Sequence, residues 1–332
     1  MIMPFKYKFI TLFLIFICIA FNTSKANVDD DFKVWAADFK EKAVKKGISQ
    51  ETVDKAFSRV KFLENVIKYD RKQPEFFEDT ETYISKRANA SRVKNAKRIL
   101  KLNKELFNEV EKNFSVEKEI LLSLWGIETN FGKHVGKMDI ISSLATLSFD
   151  KRRSQFFSNQ LLILLKLIDE GLIEIETLFG SWAGAYGNFQ FMPSTIKSYA
   201  IDYDGNNKIE LKNSLRDSLA SAANYIHKIG WKKDQPCFYR VKLNNPIKNK
   251  YVNTSARNIS NKMKISEWKK KGVVNIDGTE LKTNLNAALI MPDGDGDSPI
   301  FLVFQNYEKI LKWNRSLRFG LTVCTLANMI KT

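Results

Sequence analysis

The stretch Leu121-Leu122-Ser123-Leu124-Trp125-Gly126-Ile127-Glu128-Thr129-Asn130-Phe131-Gly132 sets one carboxylate among leucines, a tryptophan and a phenylalanine. If residues 116–131 are helical, Leu124 and Trp125 stand one turn before Glu128 and Phe131 three places after it, so its neighbours are largely apolar. Burial penalises the charged form of a carboxyl, raising its pKa toward the range of a general acid that protonates a leaving oxygen. The spacing leaves a second reading open, in which Glu128 ends the helix at the edge of the core and faces water.

Outward from this segment the pattern is helical. The run "DDFKVWAADFKEKAVKKG" spaces Phe32, Trp35, Ala36, Phe39 and Ala43 by three and four residues and stops at Gly47. A second helix follows in "ISQETVDKAFSRV", with Ser49 as its N-cap. "SRVKNAKRILKLNKELFNEVEKNF" reads as one long basic amphipathic helix, and Ser115 as the cap of the helix that carries Glu128. "SNQLLILLKLIDEG" is a further helix ending at Gly171. After Pro236 the character changes. The runs "GVVNIDG", "AALIMPDG" and "IFLVFQNY", bounded by Gly, Pro and Asp, read as short strands, and "NRSLRFGLTVCTLANMIK" as a closing helix.

The 332 residues carry a net charge of +16 and are 44% apolar. Residues 1–26 have a short basic start, an apolar run from Phe9 to Phe21 and the small-residue ending "SKA", the layout of a secretory signal peptide. A retained membrane anchor is the alternative. Cleavage after Ala26 removes three lysines and no acid and leaves +13. The remainder is expected to be soluble and exported. Positive charge suits an anionic partner, but the lysines are scattered and no nucleic-acid motif is present. Cys237 and Cys324, 87 positions apart, establish no disulfide by spacing, and two buried thiols are expected. His134 and His227 stand without partners at metal-ligand spacing.

Two further stretches bear on chemistry. "GSWAGAYGNFQFMPSTI" (Gly180–Ile196) mixes glycines and alanines with aromatics, and Ser181, Tyr186, Asn188 and Gln190 offer polar tips beside aromatic faces. That combination suits a sugar, although a glycine-rich helix corner would read the same way. "DYDGNNKIELKNSLRD" sets Asp202, Asp204, Asn206 and Lys208, the last through its carbonyl, at alternate positions, with Asp217 fifteen residues after Asp202. It resembles an EF-hand-like calcium loop with few carboxylates, for which weak binding is expected; a plain loop is the alternative. "PDGDGDSP" (292–299) reads as a tight turn.

In order and spacing, "GIETNFG", "ISSLATLSFDKRR", "GSWAGAYGNFQFMPST", "DSLASAANYIHKIGW" and "PDGDGDSPIFLVFQNYEKILKWNRSLRFG" resemble the lytic murein transglycosylase B family, over nearly the whole chain after residue 26. The resemblance implies a mainly α (α+β) fold: a lysozyme-like helical catalytic body, a small β-rich insertion near the C-terminal end and a returning C-terminal helix. It divides residues 27–332 into an N-terminal helical part (27–95), a catalytic core (96–235), a β-rich part (236–310) and a C-terminal helix (311–332). The implied activity is cleavage of the β-1,4 bond between N-acetylmuramic acid and N-acetylglucosamine in peptidoglycan, giving 1,6-anhydromuramic ends. Glu128 matches the single catalytic acid/base.

Ser181 and Gln190 fall on an active-site serine and glutamine of the family, and Tyr83, Tyr225 and Asn314 on substrate-binding positions. Phe319 stands where some members carry tyrosine. The calcium loop lies where the family has one, and no cofactor is required. The expected partners are glycan strands, with wall synthesis or remodelling proteins beside them and no nucleic acid; the expected state is a monomer in the periplasm. Two other functions fit the same chain. A muramidase-type hydrolase would need a second carboxylate, for which Asp139 and Asp150 are nearest in sequence, and a non-catalytic wall-binding protein would need no buried acid.

Overall fold

The computed structural model describes residues 28–71, 78–294 and 298–332. The export signal read at residues 1–26 lies outside the described residues. The chain forms two compact units from interleaved stretches. Of the described residues, the first takes 28–71 and 137–185, and the second takes 78–136 and 186–332.

The first unit is helical: α1 (28–45), α2 (Gln50–Phe57), α3 (Glu64–Arg71), α8 (Ile140–Phe149) and α9 (Ser154–Asp169), with a two-residue ladder between β1 (Met138–Asp139) and β2 (Phe179–Gly180). The periodic aromatics of α1 form its core. Phe32 packs edge-on against Phe149 with ring centroids 5.5 Å apart, and Phe39 stacks on Phe57 at 6.0 Å. Ser49 accepts the backbone N–H of Thr52 as the N-cap of α2, and Asp139 does the same for α8 from Ser142.

The second unit holds α4 (Thr80–Arg87), α5 (Ala90–Leu102), α6 (Lys104–Phe114), α7 (Lys118–Thr129), α10 (Pro193–Tyr199) and α11 (Leu215–Lys228), then the β-rich segment, α13 (Gln305–Trp313) and α14 (Leu317–Lys331). Residues 91–114 are two helices rather than one. Asn103 leaves helical geometry (φ −125°, ψ 32°) and its amide bonds back to the carbonyl of Ile99, so the chain bends there. Ser115 does not cap α7. It adopts a left-handed conformation (φ 53°) that closes α6, and Glu117 stands at the start of α7 with its carboxylate on the indole N–H of Trp231 and the backbone N–H of Asp234.

The β-rich segment is a six-stranded sheet. Its path runs β4 (Val252–Asn253), β7 (Asn286–Ile290), β8 (Ile300–Val303), β3 (Phe238–Leu243), β6 (Val273–Asn275), and β5 (Met263–Lys264) pairs with β7. Only the β4–β7 pairing is parallel. Alternation along β7 and β8 divides two cores. Ala287, Leu289 and Leu302 face a cluster with Trp268 and Ile265 of α12 (Ile265–Lys270), while Ala288, Ile290, Phe301 and Val303 face Tyr307, Leu311, Leu317 and Leu321 of α13 and α14. The run "IFLVFQNY" is strand only to Val303 and continues into α13.

α14 packs on α7 and α4. It is joined to the start of the sheet by a disulfide between Cys237 and Cys324, Cα atoms 6.2 Å apart, where two thiols were expected. Sheet and helix meet where β7 and β8 pack on α13 and α14, which the 87-residue spacing does not reveal. In the turn at residues 292–294, Asp293 accepts from the backbone and hydroxyl of Thr80 and from Arg318, and thereby ties the turn to α4 and α14.

Candidate active site

α7 is buried on every side from Ile120 to Gly126, and its end is built from the quoted motif. The N–H of Asn130 bonds to the carbonyl of Gly126 and that of Phe131 to Trp125, the paired bonds of a Schellman close; Asn130 has φ 49°. Phe131 then folds back over Gly126, where a Cβ would stand 2.8 Å from the ring and would displace it. Glu128, in the last turn, is half-buried at the edge of this apolar end. Its Oε1 accepts the indole N–H of Trp313 at 2.9 Å.

Trp313 ends α13 and belongs to a column of aromatics. Tyr199 stacks on Tyr225 with centroids 4.3 Å apart, and Tyr225 on Trp313 at 5.0 Å. Phe191 and Phe189 meet Trp313 edge-on at 5.3 and 6.2 Å, and Phe189 stacks on Trp125 of α7. Tyr225 donates to the carbonyl of Lys312, the residue before Trp313. Burial, with Tyr199 beside it, pushes the Tyr225 phenol up to about 12, so it remains a neutral donor.

The two phenylalanines come from a tight hairpin, "YGNFQF", closed by reciprocal backbone bonds between Tyr186 and Phe191. Gln190 sits in it at φ 52°, a conformation uncommon for residues with side chains. Its amide N–H groups go to the carbonyls of Gly187 and Val135, so what it can offer a ligand is its carbonyl oxygen. Asn188 is not a ligand tip. It is buried and its side chain bonds to the Trp125 indole, the Lys212 carbonyl and Ser218, locking the hairpin to α7 and α11.

The structure thus gathers Glu128, Phe189, Phe191 and Tyr225 around Trp313; Gln190 stands between the two phenylalanines in the hairpin, and Asn314 caps α13. Tyr83 is buried in α4 under the guanidinium of Arg87, 3.7 Å from its ring. Phe319 is buried in α14. Ser181 belongs to the first unit, where its hydroxyl accepts the N–H of Ala185; a Cβ on the preceding Gly180 would meet the Ala185 carbonyl at 2.1 Å.

Two contributors escaped the reading of the sequence. Trp313 lies beside Asn314 in "KWNRS", and that adjacency was its only signal. Arg92 of α5 bonds the carbonyls of Gly126 and Arg87, setting a cation at the carbonyl end of α7; burial, then the charge of Arg87, lowers its pKa. Asp139 and Asp150 are engaged within the first unit, Asp139 as cap of α8 and partner of Arg59, and Asp150 as partner of Arg71.

In the loop before α11, carboxylate oxygens of Asp202, Asp204 and Asp217 lie within 4.8 Å of one another. Asp217 is wholly buried, and burial raises its pKa against the pull of backbone N–H groups from Glu210 and Tyr203. Asp202 gathers the N–H groups of Gly205, Asn206 and Asn207, with Asn207 at φ 67°. Asn206 bonds Lys208 N–H and Glu210.

A family model described as transglycosylase SLT domain matches residues 31–328. The chain belongs to this family. Over 130 residues it is 38% identical to the membrane-bound lytic murein transglycosylase B of Escherichia coli (strain K12), a match covering 39% of this chain and 36% of that relative. The chain therefore spans about a third of this curated relative's length in the matched region. Among solved structures it resembles SltB3 from Pseudomonas aeruginosa in complex with NAG-anhNAM-pentapeptide, with TM-score 0.84 and 34% identity, covering 90% of this chain and 79% of that one. It also resembles the Escherichia coli lytic transglycosylase Slt35 in complex with calcium, with TM-score 0.75 and 27% identity over 89% and 92% of the two chains. The lysozyme-like α+β fold expected from the motifs is the fold found.

Proposed function

We propose that the chain is a lytic transglycosylase that cleaves the β-1,4 bond between N-acetylmuramic acid and N-acetylglucosamine and leaves 1,6-anhydromuramic ends. The observation that carries this reading is Glu128, a half-buried carboxyl at an apolar helix end, oriented by an indole inside an aromatic wall, in a chain of this family. Glu128 protonates the glycosidic oxygen. As carboxylate it then takes the proton of the muramic C6 hydroxyl, which attacks C1. The substrate's N-acetyl group carries charge at C1, so one carboxylate suffices where ordinary glycosidases use two.

Aromatic faces take sugar rings, and Ser181, Gln190, Tyr83, Tyr225 and Asn314 are the substrate-binding residues of this reading. The engagement of Asp139 and Asp150 in caps and ion pairs favours it over a hydrolase with a second acid. The substrate is a wall polymer, so the protein works outside the cytoplasm, in the periplasm, with residues 1–26 as export signal. No helix among the described residues is long and apolar enough to cross a membrane.

The loop of Asp202, Asp204, Asn206, Lys208 and Asp217 fits a calcium ion, because three carboxylates already converge there and one is fully buried. The ion would neutralise them and brace the start of α11, which carries Tyr225 about three turns on. No chemical step passes through it.

The test is mass spectrometry of purified peptidoglycan digested with the protein. Products one water lighter than reducing ends are expected; reducing ends would transfer the claim to a hydrolase, and intact strands with binding retained would leave a wall-binding protein.

A further inference from the structure

A cavity of about 610 Å³ lies against one stripe of α13 and is lined by Gln305, Glu308, Lys309 and Lys312 at helical spacing, with Lys262 and Asn286 opposite. Its charge is unbalanced. Glu308 is the only acid among the lining residues and is already paired with Lys262 at 2.7 Å. Lys309 is half-buried and has no carboxylate within ion-pair distance among the described residues. Gly230, at φ 91°, makes room for its amine, which would stand 3.2 Å from a Cβ there. Burial, then the charge of Lys312, lowers the pKa of Lys309, with Lys232 and Lys262 acting the same way and Glu308 opposing. A bound anion would relieve this crowding of cations.

We propose that this cavity binds the carboxylates of the peptide stem borne by the glycan strand, a reading that rests on peptidoglycan being the substrate. The volume falls in the range of ligand pockets, about 300–1,000 Å³, and exceeds what one inorganic anion fills. Asn286 and Gln305 add amides that match a peptide backbone, and the concave shape favours a short acidic peptide over a flat lipid surface. Along α13 the distance from Lys309 to Trp313 is about 6 Å of axial rise. The stem site and the partner of Glu128 therefore share one helix.

The test titrates the full protein with a synthetic acidic tetrapeptide stem and with its fully amidated counterpart, by calorimetry. The acidic peptide is expected to bind in a salt-sensitive way and to weaken roughly tenfold in Lys262→Gln/Lys309→Gln, while the amidated one binds poorly to both. Lys262→Gln alone, at an exposed position, is expected to lose part of this binding and guards against misfolding of the pair.

On strands, the double variant should raise KM for stem-bearing glycan and leave turnover of amidase-stripped glycan unchanged. Equal binding of the two peptides, or binding indifferent to the lysines, would overturn the assignment. So would loss of binding to anionic phospholipid vesicles in the variant with peptide binding intact. If the wild-type protein cleaves neither kind of strand, the transglycosylase reading fails, while the peptide titration still decides the cavity.

Discussion

At the scale of the residue, Glu128 depends on a partner 185 positions away. The Trp313 indole holds one carboxylate oxygen, and Tyr225 holds Trp313 by stacking and by its bond to the preceding carbonyl. Glu128→Gln keeps the shape and the Trp313 contact but has no proton to exchange. We expect an unchanged melting curve, retained glycan binding and cleavage reduced by about three orders of magnitude or more, read from anhydro-product formation. Trp313→Phe preserves the aromatic wall and removes the donor. An N–H donated to a carboxylate favours the charged form, so the pH–rate profile of this variant should move to higher pH with kcat down roughly tenfold. A profile that stays in place would assign Trp313 to packing alone.

At the scale of the element, α4, α14 and the turn after β7 meet at Asp293. Burial pushes its carboxyl up, but the Thr80 hydroxyl and Arg318 outweigh that and hold it below the usual carboxylate range. The group's contribution to stability is thus present in full above the unfolded-state value and lost as pH falls through the folded one. Asp293→Asn should cost about 2 kcal/mol at neutral pH, measured by urea unfolding, and the gap to wild type should close on acidification. The loop before α11 offers a second expectation. Free calcium at ten times its Kd should stabilise the protein by roughly 1.4 kcal/mol. Asp204→Asn, at an exposed position of the proposed calcium loop, should abolish the shift in melting temperature without changing the metal-free value.

At the scale of the whole molecule, the chain enters the first unit, leaves it for residues 78–136 and returns before building the rest of the second. Within the second unit the Cys237–Cys324 bond closes a long loop between the sheet and α14, the helix packed on the one that carries Glu128. Closing a loop of that length restricts the unfolded chain by about 4 kcal/mol. Reduction should therefore lower the melting temperature by roughly 10 °C, and Cys237→Ser/Cys324→Ser should show the lower value with no further response to reductant. A reductant-insensitive wild type would overturn this expectation.

The sequence by itself determined the local elements and the family. The three- and four-residue spacing of Phe32, Trp35 and Phe39, the short apolar run of β7 and the Glu128 motif all depend on residue type and periodicity within a few residues. Tertiary structure decided the partners. That Asn188 is a buried strut, that Trp313 reaches Glu128, that Asn103 divides one expected helix into two and that Cys237 meets Cys324 depend on which faces pack together. A hydrogen bond or disulfide between distant residues needs their atoms within a few ångströms. Chain spacing constrains that distance weakly, because long loops close at little extra entropic cost.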